Sequence, residues 1–295
     1  MVSARSTPDV PGGGEALPRL LAPDHLARAE AVYQDLVTVR FGFEARLGHV
    51  LAYLRTYASP SIAGLLAHTG HVQHAPEKRA TDTGLFVYEL FVAGLDSPTG
   101  DQVVRRLAAM HSRWRIADDD YTWVLGTFAV LGTRVIERCA RRRLTDDERQ
   151  ATVDWWREFG TRMGVVDVPA TYAEFADAFD DYERRRLRRT EEGQALLAAS
   201  WPALVAGLPA PARPLARQLV GVLTDEPARS ALGLPRPDPA TRAAVTTALR
   251  ARALLQRGRG TGLGFTPGAP IGPYRDGYTL DDLGVGDDHR HPMAR

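Results

Sequence analysis

Apolar residues recur at spacings of three and four from about residue 24 to residue 256, in stretches separated by Pro, Gly or Ser breaks. No run alternates with the period of two that a half-buried strand requires. The pattern predicts an all-α fold with helices near 24–43, 46–56, 60–68, 77–95, 99–115, 120–141, 146–163, 171–188, 191–206, 211–223 and 238–256. Several starts carry a chemical mark. Thr145 with Glu148, and Thr171 with Glu174, have the spacing of capping boxes, in which each side chain satisfies a free backbone N–H near the other. Pro239 suits the first turn of the last helix, where its missing N–H is not needed. The longest uncharged apolar stretch, "YTWVLGTFAVLGT" at 121–133, is too short to span a bilayer and suits a helix buried on most sides.

The two ends depart from this pattern. Residues 1–22 have Pro and Gly where a signal peptide needs an apolar run, and are expected to form a disordered lead-in. From Arg257 onward Gly and Pro are too frequent for a long helix. Residues 257–295 are therefore expected to pack on the helical unit, 23–256, as extended chain. "GPYRDGYTLDDLG", 272–284, supplies the anchoring side chains, and the last residues are expected to be loose.

Polar groups inside the apolar stripes carry the candidate chemistry. In "RLAAMHSRW", 106–114, helical spacing puts Val103, Leu107, Met110, His111 and Trp114 on one face, so the imidazole points inward. Such a ring needs protein hydrogen bonds, a proton-transfer role or a metal. In "EKRATDTGLFVYELFVAGL", 77–95, Arg79 and Thr83 continue the line of Val87 and Leu90. An inward guanidinium is costly unless an anion meets it: an ion pair with Asp118, Asp119 or Asp120, or a bound anionic group. The short break "DSPTG", 96–100, makes the two helices antiparallel neighbours, so Arg79, Thr83 and His111 can converge. His68, His71 and His74 form a competing candidate, a non-haem metal site, although Gly70 and Pro76 interrupt the helix that would align them.

Composition narrows the classes. A chain of 295 residues with 44% hydrophobic and 25% charged residues has the mixture of a soluble globular protein with a sizeable core. A net charge of +1 gives no pull toward nucleic acid or anionic lipid. Lys78 is the only lysine and asparagine is absent, so the arginine runs at 139–143 and 184–189 reflect biased usage and read as solvated helix faces or ends. Cys139, the single cysteine, excludes an intramolecular disulfide and an all-cysteine metal cage, in keeping with a reducing cytoplasm. The glycines of "GRGTGLG" do not lie between a strand and a helix, and no H-E-x-x-H, G-x-S-x-G or P-loop is present. The expectation is a soluble, cytoplasmic protein without a transmembrane anchor.

The ordered segments "KRATDTGLFVYEL" (78–90), "VVRRLAAMHSRWRIADDDYTWVLGTFAVLGTRVIER" (103–138), "LTDDERQATVDWWREFGTRMGV" (144–165) and "GYTLDDLG" (277–284) resemble the MpaB oxygenase family, distantly related to the rubber oxygenases. The resemblance runs from about Ala58 to Gly284. It implies an all-helical protein that holds haem b and uses O2 as co-substrate, with a lipophilic prenylated or terpenoid small molecule as substrate. An electron donor is a candidate partner. By the same resemblance His111 corresponds to the proximal ligand of the haem iron, and Arg79 and Thr83 to groups lying near the haem. Arg106, beside Leu107 on the ligand-bearing helix, is a weaker candidate for a haem propionate. One position departs from the rubber enzymes: Asp82 stands where they have lysine before the threonine, and Lys78, one turn earlier, is placed to pair with it. The alternative class is a helical haem or ligand carrier without turnover.

Overall fold

A computed structural model describes residues 16–140, 142–206, 208–256, 260 and 262–284. The described residues form α1 (Pro23–Gln34), α2 (Gly42–Arg55), α3 (Pro60–Thr69), α4 (His71–His74), α5 (Pro76–Ala93), α6 (Pro98–His111) and α7 (Asp118–Cys139). They continue with α8 (Asp146–Arg162), α9 (Tyr172–Arg186), α10 (Glu191–Val205), α11 (Arg213–Leu223), α12 (Ala228–Ala231) and α13 (Pro239–Leu255). No strand occurs among them, so the class is all-α. Both capping boxes form: the Thr145 and Thr171 side chains accept from the Glu148 and Glu174 N–H groups, and each glutamate accepts in return. Of the expected lead-in, residues 1–15 lie outside the described residues, and so do 285–295 of the tail.

The apolar stretch 121–133 becomes the middle of α7, which packs against α2, α8 and α9. Small residues allow the close approaches. A Cβ built on Gly48 of α2 would lie 3.5 Å from the Cα of Gly132, and one on Gly126 would meet the Phe179 ring at 2.7 Å. Trp123 stacks on Tyr182 with ring centroids 4.8 Å apart, and Phe128 stacks on Trp156 at 4.6 Å. Two buried charges also tie the helices. Arg55 of α2 donates to both carboxylate oxygens of Glu183 of α9 at 2.5 and 2.6 Å, and Trp123 Nε1 donates to the same carboxylate at 3.2 Å. Removing either partner would leave a charge stranded out of water.

Two helix ends differ from the periodicity. The first helix does not run to 43: a π-helical turn, Asp35–Arg40, follows α1, and the chain breaks at Phe41 before restarting at Gly42. The tail explains the break. The wider turn leaves carbonyls free, and Gly262 and Leu263 donate their N–H groups to Val39 and Thr38 at 3.1 and 2.8 Å. The tail backbone passes so close that a Cβ on Gly42 would overlap the Gly262 carbonyl. The second difference is α6, which ends at His111 instead of 115, where the Trp114 N–H closes a turn on the His111 carbonyl at 3.0 Å before α7 begins.

The arginine runs are spent at the surface and helix ends. Arg184 and Arg185 meet Asp181, Arg186 meets Asp119, and Arg142 meets Glu148.

Candidate functional site

His111 is the last residue of α6, and its Nδ1 lies 2.7 Å from the Leu107 carbonyl one turn back. A carbonyl can only accept, so Nδ1 carries the proton and the lone pair is left on Nε2. Burial holds the imidazole below its ordinary pKa and the Arg79 cation adds to that effect, while the Leu107 hydrogen bond opposes it. The ring is thus a neutral base at neutral pH. It is surrounded by protein yet only half-buried, the combination expected of a side chain that lines a crevice.

The wall opposite comes from α7. Most of that helix is buried, but Tyr121, Val124 and Phe128, at i, i+3 and i+7, are only half-buried. They form one stripe on an otherwise packed surface. The Tyr121 ring lies 5.9 Å from His111 at one end of the stripe, and the Phe128 ring lies 5.7 Å from His49 at the other. Leu107 of α6, Ala80 of α5 and Ile62 and Leu66 of α3 are also half-buried apolar groups.

Helix α5 brings Arg79 and Thr83 to the same place. The Arg79 guanidinium donates to the Thr83 hydroxyl, which itself donates to the Arg79 carbonyl at 2.8 Å. Arg79 pairs with none of the three aspartates that the sequence offered. Asp119 is taken by Arg186, and Asp120 by Ser61 and Tyr182. Among the described residues Arg79 meets no carboxylate, and its charge is felt by His111 and by the buried Tyr57. The structure therefore brings Arg79, Thr83 and His111 together.

Arg106 is elsewhere. Its guanidinium donates to the carbonyls of Leu283, at 3.0 and 2.8 Å, and Asp281, at 2.7 Å, and to the Asp281 carboxylate at 3.2 Å, so it fastens the tail to α6. The tail carbonyls thus occupy the guanidinium that the sequence offered to an anionic cofactor group. Beside it, Asp82 is buried and accepts from Lys78 at 2.6 Å, Tyr274 at 2.5 Å and the Gly284 N–H at 2.9 Å. Lys78 also donates to the Asp282 and Gly284 carbonyls. Asp82 is thus the acceptor of a latch that clasps the tail to α5.

The three-histidine candidate does not assemble. His68 is exposed and packs edge-on to Trp114 at 5.8 Å, and His74 Nδ1 is bound to the Gly70 carbonyl at 2.7 Å. Among the described residues no group of three or more His, Cys, Asp or Glu side chains could hold a metal ion. Gly70, with φ of 71°, breaks the helix between α3 and α4 and separates the rings.

A second buried imidazole lies on α2. His49, on the inward face of α2, has both ring nitrogens buried without a hydrogen-bond partner, and so does the Tyr53 hydroxyl one turn on. Burial lowers the His49 pKa to about 4. The same inward spacing that marked His111 was present in "ARLGHVLAYL", 45–54.

Comparison with known proteins agrees with the fold and the order of these segments. The family described as ER-bound oxygenase mpaB/B'/Rubber oxygenase, catalytic domain, matches residues 40–256. The chain is 26% identical over 248 residues to ER-bound oxygenase mpaB' of Penicillium brevicompactum, covering 77% of this chain and 58% of that protein. It is 31% identical over 144 residues to ER-bound oxygenase mpaB of the same organism, covering 45% of this chain and 36% of the relative. The chain thus spans less than two thirds of either relative. Among solved structures, latex clearing protein in the closed state superposes with a TM-score of 0.63 at 17% identity, covering 89% of this chain and 76% of that one, a likeness of fold.

Proposed function

The chain belongs to the family of ER-bound oxygenases mpaB and mpaB' and rubber oxygenases, and from that premise we propose that it is a haem b-dependent oxygenase acting with O2 on a carbon–carbon double bond of a prenylated or terpenoid small molecule. The observation that carries the reading is the state of His111: Nδ1 bound to a backbone carbonyl, the ring neutral, and the Nε2 lone pair left free in a half-buried, mainly apolar crevice. This is the preparation an imidazole needs to ligate a metal, because the hydrogen bond fixes both tautomer and ring orientation. The donor set fits a haem: one neutral imidazole, one arginine without a carboxylate partner, and apolar walls.

In this reading His111 Nε2 would hold the iron. Arg79 would neutralise a haem propionate or polarise the O2 co-substrate, with Thr83 as its hydroxyl companion. Bound haem supplies the activation of O2, chemistry that no side chain of the site can perform alone. The protein's own part is to hold and orient. Leu107 fixes the His111 ring, Thr83 fixes the Arg79 guanidinium, and Tyr121, Val124 and Phe128 offer apolar surface to an alkene and exclude water. Among the described residues no helix is long and apolar enough to cross a membrane. The Penicillium relatives are named as ER-bound; a cytoplasmic location for this chain is part of what we propose.

The test is spectroscopic. Purified protein supplied with haem should show a Soret band that His111→Ala abolishes or displaces. An unchanged band in that variant would remove His111 as the ligand. Oxygen uptake driven by prenylated compounds would then separate an oxygenase from a haem carrier without turnover.

A further inference from the structure

Beside Phe128 the core contains a cavity of about 30 Å³ between α1 with its π-helical turn, α2, α5, α7 and α8. A single water needs roughly 10–15 Å³ measured in this way, so the space admits about two water-sized molecules. What faces it decides which molecules enter. Phe91, Phe128, Leu36, Val37 and Ile136 contribute carbon. The hydroxyls of Thr127, Thr133 and Thr152 also line it, but each donates its hydrogen to a carbonyl of its own helix, at 2.6, 2.7 and 2.9 Å.

The Tyr33 hydroxyl accepts from Trp156 Nε1 at 2.8 Å, and the remaining polar side chain is His49. Neither of its ring nitrogens presents accessible surface, so the imidazole turns only carbon toward the space, and a molecule inside cannot reach Nδ1 or Nε2. Most of the surface the cavity presents is carbon, and its threonine hydroxyls can still accept but have no hydrogen left to donate, so a water inside is weakly held. A mostly apolar space of this kind favours small apolar molecules over water. The backbone maintains the void: a Cβ built on Gly132 would meet no atom within 4 Å, in the middle of a helix packed tightly on most of its surface.

We propose that this cavity is an internal dioxygen site, in which O2 is held against Gly132 and reaches the His111 crevice past Phe128. The inference rests on the oxygenase reading above and adds a second site to it. Phe128 belongs to both spaces: it lines the cavity and ends the half-buried stripe that begins at Tyr121 beside His111. A small apolar gas partitions from water into such a space, which keeps it ready on the protein side of the crevice.

Xenon is the probe, since it seeks the same apolar voids and does no chemistry. Crystals of the full chain pressurised with xenon should show one site beside Gly132, and Gly132→Ala, whose methyl group has room, should abolish it. In the haem-loaded enzyme the same variant should raise KM for O2 several-fold, while kcat at saturating O2 and KM for the organic substrate stay put. A merely structural change would not single out O2. Ordered water in place of xenon, or an unchanged KM for O2 in Gly132→Ala, overturns the inference while leaving oxygenase activity in place. Wild-type protein that takes up xenon but consumes no O2 with any substrate overturns the oxygenase reading, and with it the assignment of the cavity to O2.

Discussion

His111 and His49 stand at opposite ends of one stripe of α7, and burial keeps both neutral, yet they are held in different ways. His111 has one nitrogen committed to the Leu107 carbonyl and lines a crevice. His49 has neither nitrogen committed and is sealed between Tyr88 and Phe128, with Nε2 against Gly84. A ring fixed by a single hydrogen bond is prepared for a ligand on its other nitrogen. A ring with none carries the full penalty of unmade hydrogen bonds and contributes only its shape. The difference teaches that burial alone does not mark a site; the direction in which the lone pair is left open does.

The largest way to break this comparison is to exchange the two residues' fates. His111→Leu should lose the haem spectrum, whereas His49→Leu should keep it. The pH dependence of stability should then separate them further. The folded-state pKa of His49, about 4, lies below its unfolded value of 6.5. Above pH 6.5 both states are neutral and the residue makes no pH-dependent contribution. As pH falls from 6.5 to 4, the unfolded chain takes a proton that the folded protein refuses, so stability falls, by about 3 kcal/mol in all. Urea unfolding between pH 7 and 4.5 should show this slope in the wild type and a clearly shallower one in His49→Leu. Equal slopes would mean that His49 finds a partner in solution. His111, lowered in the same direction, accounts for part of the slope that remains.

The contrast also explains what could be read from residues alone. The helices were legible because apolar spacing is a local property, and so were both capping boxes and the pairing of Lys78 with Asp82. His111 and the convergence with Arg79 and Thr83 followed from the same spacing plus a short connection. The fate of Arg106 did not, because its partners are backbone carbonyls of a segment about 175 residues away. The break at Phe41 was hidden for the same reason: it answers to the tail's N–H groups, which no periodicity in 24–43 reports. His49 had the inward spacing of His111, but spacing does not say whether a nitrogen meets a partner. The cavity beside it depends on how closely five helices approach.

A smaller effect tests whether the tail serves the His111 end alone. Tyr274 donates to Asp82, and Lys78 donates to Tyr274 at 2.9 Å, so Tyr274→Phe removes a hydroxyl bonded on both sides. The expected cost is about 1–2 kcal/mol. Amide exchange should quicken over 274–284 and in α5 near Asp82, with the haem band perturbed in shape and not lost. The inner cavity is reached by no residue of this latch, so xenon occupancy beside Gly132 should remain. Loss of xenon together with the latch would show that the two spaces are coupled through α5.

The smallest expected effect concerns Gly132 itself. In a helix interior glycine is less favourable than alanine by about 1 kcal/mol, since it loses more backbone freedom on folding. Nothing lies within 4 Å of a Cβ at this position, so Gly132→Ala adds a methyl group to empty space without crowding a neighbour. The variant should therefore be more stable than the wild type by up to about 1 kcal/mol, seen as a rise in Tm, with the haem spectrum at His111 unchanged. A fall in Tm would mean that the cavity is filled or collapsed in solution. A stable variant with a weaker response to O2 would identify the glycine as a position where stability gives way to an internal void.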